Sequence, residues 1–182
     1  MKARLTGISL VIFLSMGMVF FLFPSCDTLK DAADVKVKYD LPDTYFTIDS
    51  LSSLKAERLL FSQTFTANID SIVNANTGSL KNANFYLLRL SVVSPEWVTL
   101  NWLNSARVTV TPQGGSPVEV ATTTSVNSTA RSVEFVVKNL DVASTITGPF
   151  ILNIYGDLNG PVPAATVHML LESGIEVVVN PL

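Results

Sequence analysis

From Val35 onward the apolar residues of this chain recur at every second position, in runs of only five to ten residues or so, and that period limits what it can fold into. In Val35-Lys36-Val37-Lys38-Tyr39-Asp40, the valines and Tyr39 fall on one side and the lysines and Asp40 on the other. Successive side chains of an extended chain point to opposite faces, so this is the pattern of a half-buried strand. Leu41-Pro42-Asp43 interrupts it, and Phe46 and Ile48 resume it. The same alternation predicts strands over 59–67, with Phe61 and Phe65 on one side, over 85–93, and over 97–103. Val108 and Val110 lead through Gln113-Gly114-Gly115-Ser116-Pro117 to Val118 and Val120, which reads as a hairpin. A strand over 131–138 turns Val133, Phe135 and Val137 inward. Strands over 149–157 and 165–173 flank a loop, 156–163, and 174–180 closes the series with Ile175, Val177 and Val179.

One segment departs from period two. Ile69, Ile72 and Val73 are spaced i, i+3, i+4 between Asn68 and Asn76-Thr77-Gly78, which predicts a helix of about two turns. About ten short strands with turn signals every 8–12 residues or so, and almost no helix, favour an all-β fold over a βαβ sheet. Alternation with a polar outer face favours antiparallel pairing. The expected architecture is an antiparallel two-sheet β-sandwich, Ig-like or jelly-roll-like, with one short helix; a closed β-barrel is the alternative. Strand order is not readable from the pattern.

The N-terminal segment carries a different message. Lys2 and Arg4 are followed by an uncharged apolar stretch from Leu5 to Cys26. A short positive segment, an apolar run and a small residue describe a secretory signal peptide. The run is also long enough to span a bilayer, which takes about 20 apolar residues. The single cysteine of the 182 residues, Cys26, stands at its end behind the small residue Ser25. A lone thiol has no disulfide partner. With Lys2 and Arg4 held on the cytoplasmic side, everything after Cys26 is expected to be exported.

Phe23-Pro24-Ser25-Cys26 resembles the lipobox of bacterial lipoproteins, in the looser form seen in the Bacteroidetes, with Phe23 and Pro24 departing from the usual residues. The resemblance implies cleavage between Ser25 and Cys26, acylation of Cys26, and anchoring in the cell envelope, at the outer membrane or cell surface rather than the inner membrane. It divides the chain into a lipoprotein signal peptide (1–25), a tether (26–34) and a β-sandwich domain (35–182). Two or three acyl chains hold a protein stably on a membrane, where one does so only marginally. The layout as a whole is similar to small Bacteroidetes lipoproteins of unassigned role, which share the tether, the sandwich and an asparagine-proline near the end, here Asn180-Pro181. The likeness brings no catalytic residues. Asp27-Thr28-Leu29, Asp49-Ser50-Leu51 and Asp70-Ser71-Ile72 also resemble the O-glycosylation sequon of that group.

Composition narrows the function classes. Asp and Glu number 15 against 12 Lys and Arg, two of which sit in the leader, and no basic cluster occurs. Nucleic acid is therefore not an expected partner. His168 is the single imidazole, with no second histidine or free thiol to build a triad or a metal site. It reads as a sheet-face histidine. Gly156-Asp157-Leu158-Asn159-Gly160 opens like a calcium loop, but His168 stands where the bidentate glutamate would be, so a tight turn is the better account. Trp97 and Trp102 fall on opposite faces of one strand, which predicts one in the core and one at a rim rather than a flat platform for sugars. Asp40 with Asp43, and Glu172 with Glu176, are the carboxylate pairs available for glycoside hydrolysis. The expectation is a non-enzymatic envelope lipoprotein, without cofactor or metal, bound to the membrane through its lipid anchor and to an envelope protein partner. An adhesin or assembly subunit using β-augmentation is the alternative, and a carboxylate-based hydrolase the more distant one.

Overall fold

The computed structural model of the chain describes residues 34–49, 57–76 and 78–181. The expected leader, and with it Ser25 and Cys26, lies outside these residues, as does the tether except Asp34. The elements in order are β1 (Val35–Asp40), β2 (Thr44–Asp49), β3 (Glu57–Thr66), α1 (Ile69–Ala75), β4 (Gly78–Ser94) and β5 (Leu103–Pro112). They continue with β6 (Val118–Thr123), β7 (Ser132–Glu134), β8 (Val136–Val137), α2 (Ala143–Ile146), β9 (Pro149–Leu158) and β10 (Thr166–Pro181).

The strands form two antiparallel sheets. One has the order β1-β10-β4-β7, with β2 also on β10; the other runs β3-β9-β5-β6-β8. This is the two-sheet sandwich, and the described residues form no closed barrel. β1 and β2 lie end to end along one side of β10, against Gly174–Val179 and Thr166–Leu171. Between them the buried Leu41 donates its N–H to the carbonyl of Ser173 at 2.9 Å, so the chain stays pinned across Pro42.

The inward residues of both sheets make one core. Leu88, Leu90, Leu152, Ile154, Met169, Leu171 and Ile175 are fully enclosed. Such a side chain is worth about 1.5–3 kcal/mol when taken out of water. At the flank where β2 and β3 meet, a row of rings, Phe46, Phe61, Phe65 and Phe150, runs at centroid spacings of 4.6, 6.5 and 6.0 Å. On the opposite flank the chain itself crosses between sheets. Ser132–Glu134 pair with β4, Val136 and Val137 pair with β6, and Phe135 between them is buried with its N–H on the Leu88 carbonyl at 2.9 Å. The single strand expected over 131–138 is thus two short ones in different sheets.

Three further expectations change. The strands expected over 165–173 and 174–180 are one, because β10 passes through Gly174 without turning. It absorbs the misfit by shifts of register against β4 at His168/Met169, Gly174/Ile175 and Val178/Val179. β4 starts at Gly78, well ahead of Phe85, since Asn82 and Asn84 face outward opposite Val178 and Glu176. Residues 97–102 are a loop. Val98, Leu100 and Trp102 are buried, which is why they alternate in sequence, yet no strand ladder runs through them, and the Leu100 N–H reaches the Ala130 carbonyl at 2.8 Å. Val98 bonds the Pro95 carbonyl at 3.1 Å, and Leu103 bonds that of Leu100 at 3.0 Å.

Among the described residues there are two helices rather than one. α1 falls where the i, i+3, i+4 spacing put it, with Ile69 buried, and Asn76 donates its side-chain amide to the Ile72 carbonyl at 2.8 Å. No side-chain bond from Asn68 caps its start. α2 is a single turn held by Asp141, whose Oδ1 accepts the N–H groups of Ala143 (2.9 Å) and Ala83 (3.0 Å). That second bond ties the turn to β4.

Candidate functional site: a neutral cleft on the outer face of one sheet

The chemistry-bearing residues singled out in the sequence are dispersed. Asp157 lies inside β9 rather than in a turn, accepting from the Asn104 amide at 3.0 Å, and the turn begins at Asn159. Among the described residues no group of three His, Cys, Asp or Glu is placed to hold a metal ion. Asp40, Asp43 and Glu172 border a shallow pocket of about 230 Å³, while Glu176 faces Lys36 at 3.8 Å. Two of those three carboxylates are engaged. Asp40 accepts the Tyr86 hydroxyl, and Glu172 lies 3.7 Å from Arg89, which also binds Glu134 at 3.1 Å. The two tryptophans separate as expected, with Trp97 66% exposed and Trp102 2% exposed, although a loop and not a strand separates them. Of the three sequon-like triplets, only Asp70-Ser71-Ile72 is fully described, and Ser71 is exposed on α1.

His168 stands on the outer face of its sheet, as read from the alternation. Its neighbours come from two other strands. Thr47 of β2 and Ser94 of β4 are its direct partners in register, so hydroxyl, imidazole and hydroxyl form one rung across three strands. The next rung on that face is Tyr45, Leu170 and Ser91. Val93 is the extra residue where β4 slips against β10 between Val92 and Ser94, and it is turned out to solvent.

Tyr45, Phe46, Thr47, Val93, Ser94 and His168 enclose a cleft of about 320 Å³. Tyr45 is 67% exposed, and none of the six side chains is an acid, a lysine or an arginine. Charges on this face begin a rung away on either side. Asp49 accepts the Thr166 hydroxyl at 3.1 Å beyond His168, and Arg89 pairs with Glu172 beyond Leu170. The rim at Val93 is held by Arg131, whose guanidinium donates to the carbonyls of Val92 and Val93, each at 3.1 Å, and to that of Glu96.

Tyr45 also borders a second cleft, about 400 Å³, between the edges of β2 and β3. There Gln63, which pairs with the buried Leu152 and so points inward, is exposed between Phe61 and Phe65. Sequence reading singled out His168 but not Tyr45, Thr47 or Ser94. A signal existed for the first two: the alternation that buries Ile48 puts Tyr45 on the polar side, where an aromatic ring is out of place.

No protein-family model and no curated protein matches the chain. Among solved structures it is similar to a chain from desmodium yellow mottle tymovirus, at 16% identity and a TM-score of 0.28, with 82% of this chain and 88% of that chain covered. That likeness is too distant to carry function.

Proposed function

We propose that this protein is a non-enzymatic envelope lipoprotein, cut between Ser25 and Cys26, acylated on Cys26, and carrying its β-sandwich on the tether as a binding module. The observation that supports a binding role is the exposed aromatic cleft at Tyr45, built on three paired strands of a filled sandwich. Rigid strands suit recognition because little order has to be imposed when a ligand arrives. The Cys26 anchor rests on the sequence of the leader, and residues 34–181 hold no helix long and apolar enough to cross a membrane among those described. The test is metabolic labelling with an alkyne fatty acid. Wild type should take up label and sediment with membranes, and Cys26→Ser should do neither; equal labelling of the two would sink the anchor.

A second reading, β-augmentation, is favoured by the edges. β1 contains no proline and pairs with β10 without a register shift, and it turns no charge inward, its exposed Lys36 and Lys38 being charges that edge carries. Edges that are meant to stay single usually carry such inward charges, prolines or bulges. Photo-crosslinkers at Lys36 and Lys38 on intact cells test it: a protein trapped there, and not from the Tyr45 face, would make the edge the contact. The hydrolase reading has less support. It needs two carboxyl groups across a cleft, and Asp40 and Glu172 are committed to Tyr86 and Arg89.

A further inference from the structure

We infer that the Tyr45–His168 cleft binds a neutral saccharide, with Tyr45 stacking on a sugar ring and the Thr47–His168–Ser94 rung pairing with its hydroxyls. This rests on the reading of the protein as a binding module and names the ligand class of that module. The composition of the cleft selects the ligand by elimination. A phosphate, a nucleotide or an acidic peptide would find no Lys or Arg among the lining residues, and the guanidinium at the rim, Arg131, is spent on the carbonyls of Val92, Val93 and Glu96. A cationic ligand would find no carboxylate there either. A purely apolar ligand would cover the rung and leave two hydroxyls and an imidazole without partners, which is costly. What satisfies both halves of the site is a molecule with an apolar C–H face and a rim of groups that donate and accept at once.

The two halves are placed for that. A hydroxyl offers both a donor and an acceptor, as a sugar hydroxyl does, and the imidazole adds two ring nitrogens beside it. Tyr45 supplies a flat apolar body with a polar tip at low cost in conformational freedom. Its ring sits one rung from His168 on the same face, and the displaced Val93 walls the far side. At about 320 Å³ the cleft is at the small end of ligand sites, which span about 300–1,000 Å³, and it is open on one side. It therefore suits a few units of a longer glycan.

Because His168 is the chain's single histidine, its imidazole C–H resonances report on the cleft without further assignment. The full chain in detergent micelles would be titrated with cello-, manno-, xylo-, laminari- and maltohexaose, and with hexagalacturonate as the charged control. At least one neutral hexasaccharide should shift the imidazole saturably and more strongly than the uronate. Tyr45→Ala should weaken that binding by about tenfold, and Thr47→Ala should weaken it less. Both sites are exposed, and unchanged melting of the variants confirms that they fold. The inference is overturned if no neutral sugar moves the imidazole, if only the uronate does, or if Tyr45→Ala binds as wild type. A crosslinker at Tyr45 that captures a protein on cells, with all sugars silent, overturns the saccharide and leaves the module reading standing; acyl labelling at Cys26 fails or succeeds independently of either.

Discussion

The ring of Tyr86 lies over the backbone of Gly174. A methyl group built on Gly174 would stand 2.5 Å from the ring's Cε1 and 2.6 Å from its Cζ. The slip of β4 against β10 at Gly174/Ile175 leaves Tyr86 as the extra residue between Phe85 and Leu87. Its side chain reaches over β10 to β1, where its hydroxyl donates to Asp40 and Lys38 Nζ sits 4.6 Å from the ring centroid. Glycine inside a strand often marks such a close approach.

Gly174→Ala should therefore destabilise the sandwich by about 1–2 kcal/mol, because the ring must lift and lose its hold on Asp40 and Lys38. In a Tyr86→Ala background the same change should cost nothing or stabilise slightly, alanine being the better strand residue by about 0.5–1 kcal/mol. A double-mutant cycle by urea unfolding measures the coupling. The Asp40 bond, followed by loss of solvent at the ring, holds the Tyr86 phenol above its ordinary 10.0. A raised pKa on an acid means that its contribution is intact below pH 10.0 and fades as pH climbs through the higher folded value. Tyr86→Phe should remove one phenol ionisation above 10.0 in an alkaline absorbance titration.

Glu57 and Arg107 predict an acid-side dependence. Arg107 donates from Nε and Nη2 to the two carboxylate oxygens at 2.5 and 2.8 Å, and its guanidinium lies 4.2 Å from the Tyr155 ring centroid. The Arg107 hydrogen bonds hold the Glu57 carboxyl below its ordinary 4.5. A lowered pKa means that the stabilisation is complete above 4.5 and disappears as pH falls through the lower folded value. Both side chains are a third to a half exposed, so water screens the pair, and the gain is about 0.2–1 kcal/mol. Glu57→Gln should lower the urea midpoint at about pH 7 and leave it unchanged at about pH 2.

Phe135 fastens the crossing between the sheets. Phe135→Ala should cost about 3–5 kcal/mol, the range for emptying a buried aromatic site. Val136→Thr, one residue on and 73% exposed, should stay within about 0.5 kcal/mol. Thermal melts of the two variants separate burial from strand propensity at adjacent positions.

The tryptophans give an optical check. Trp97→Phe should leave the emission of Trp102 alone, blue-shifted and poorly quenched by acrylamide, since Trp102 is 2% exposed. Trp102→Phe should leave red-shifted, readily quenched emission from Trp97, with a loss of stability. Equal quenching in both variants would contradict the placement of the loop.

Much of this architecture is written locally. Val35, Val37 and Tyr39, or Ile175, Val177 and Val179, show their face by alternation alone, because an extended chain turns each side chain to the opposite side from the last. The same holds for the hairpin at Gln113–Pro117 and for the short helix at Ile69, Ile72 and Val73. The lipid-anchor reading of Cys26 also rests entirely on neighbouring residues.

Local pattern is silent where a strand gains or loses its partner. Gly174 looks like a stop, yet β10 continues through it, paired with Leu87 and with the Tyr86 ring over its backbone. Trp97 to Leu103 alternates like a strand, yet only Leu103 joins a sheet, at the start of β5, and the buried residues before it are met in a loop. Phe135 divides a run of seemingly uniform alternation because its two sides bond to different sheets. The cleft is the clearest case, since Thr47, Ser94 and His168 are far apart in the chain and meet only when β10 settles between β2 and β4. The sequence determined which residues face inward, since that depends on the geometry of a few consecutive peptides. Register, sheet membership and the gathering of Tyr45, Thr47, Ser94 and His168 were decided by the tertiary structure alone, since hydrogen bonds between distant strands choose among many locally equivalent pairings.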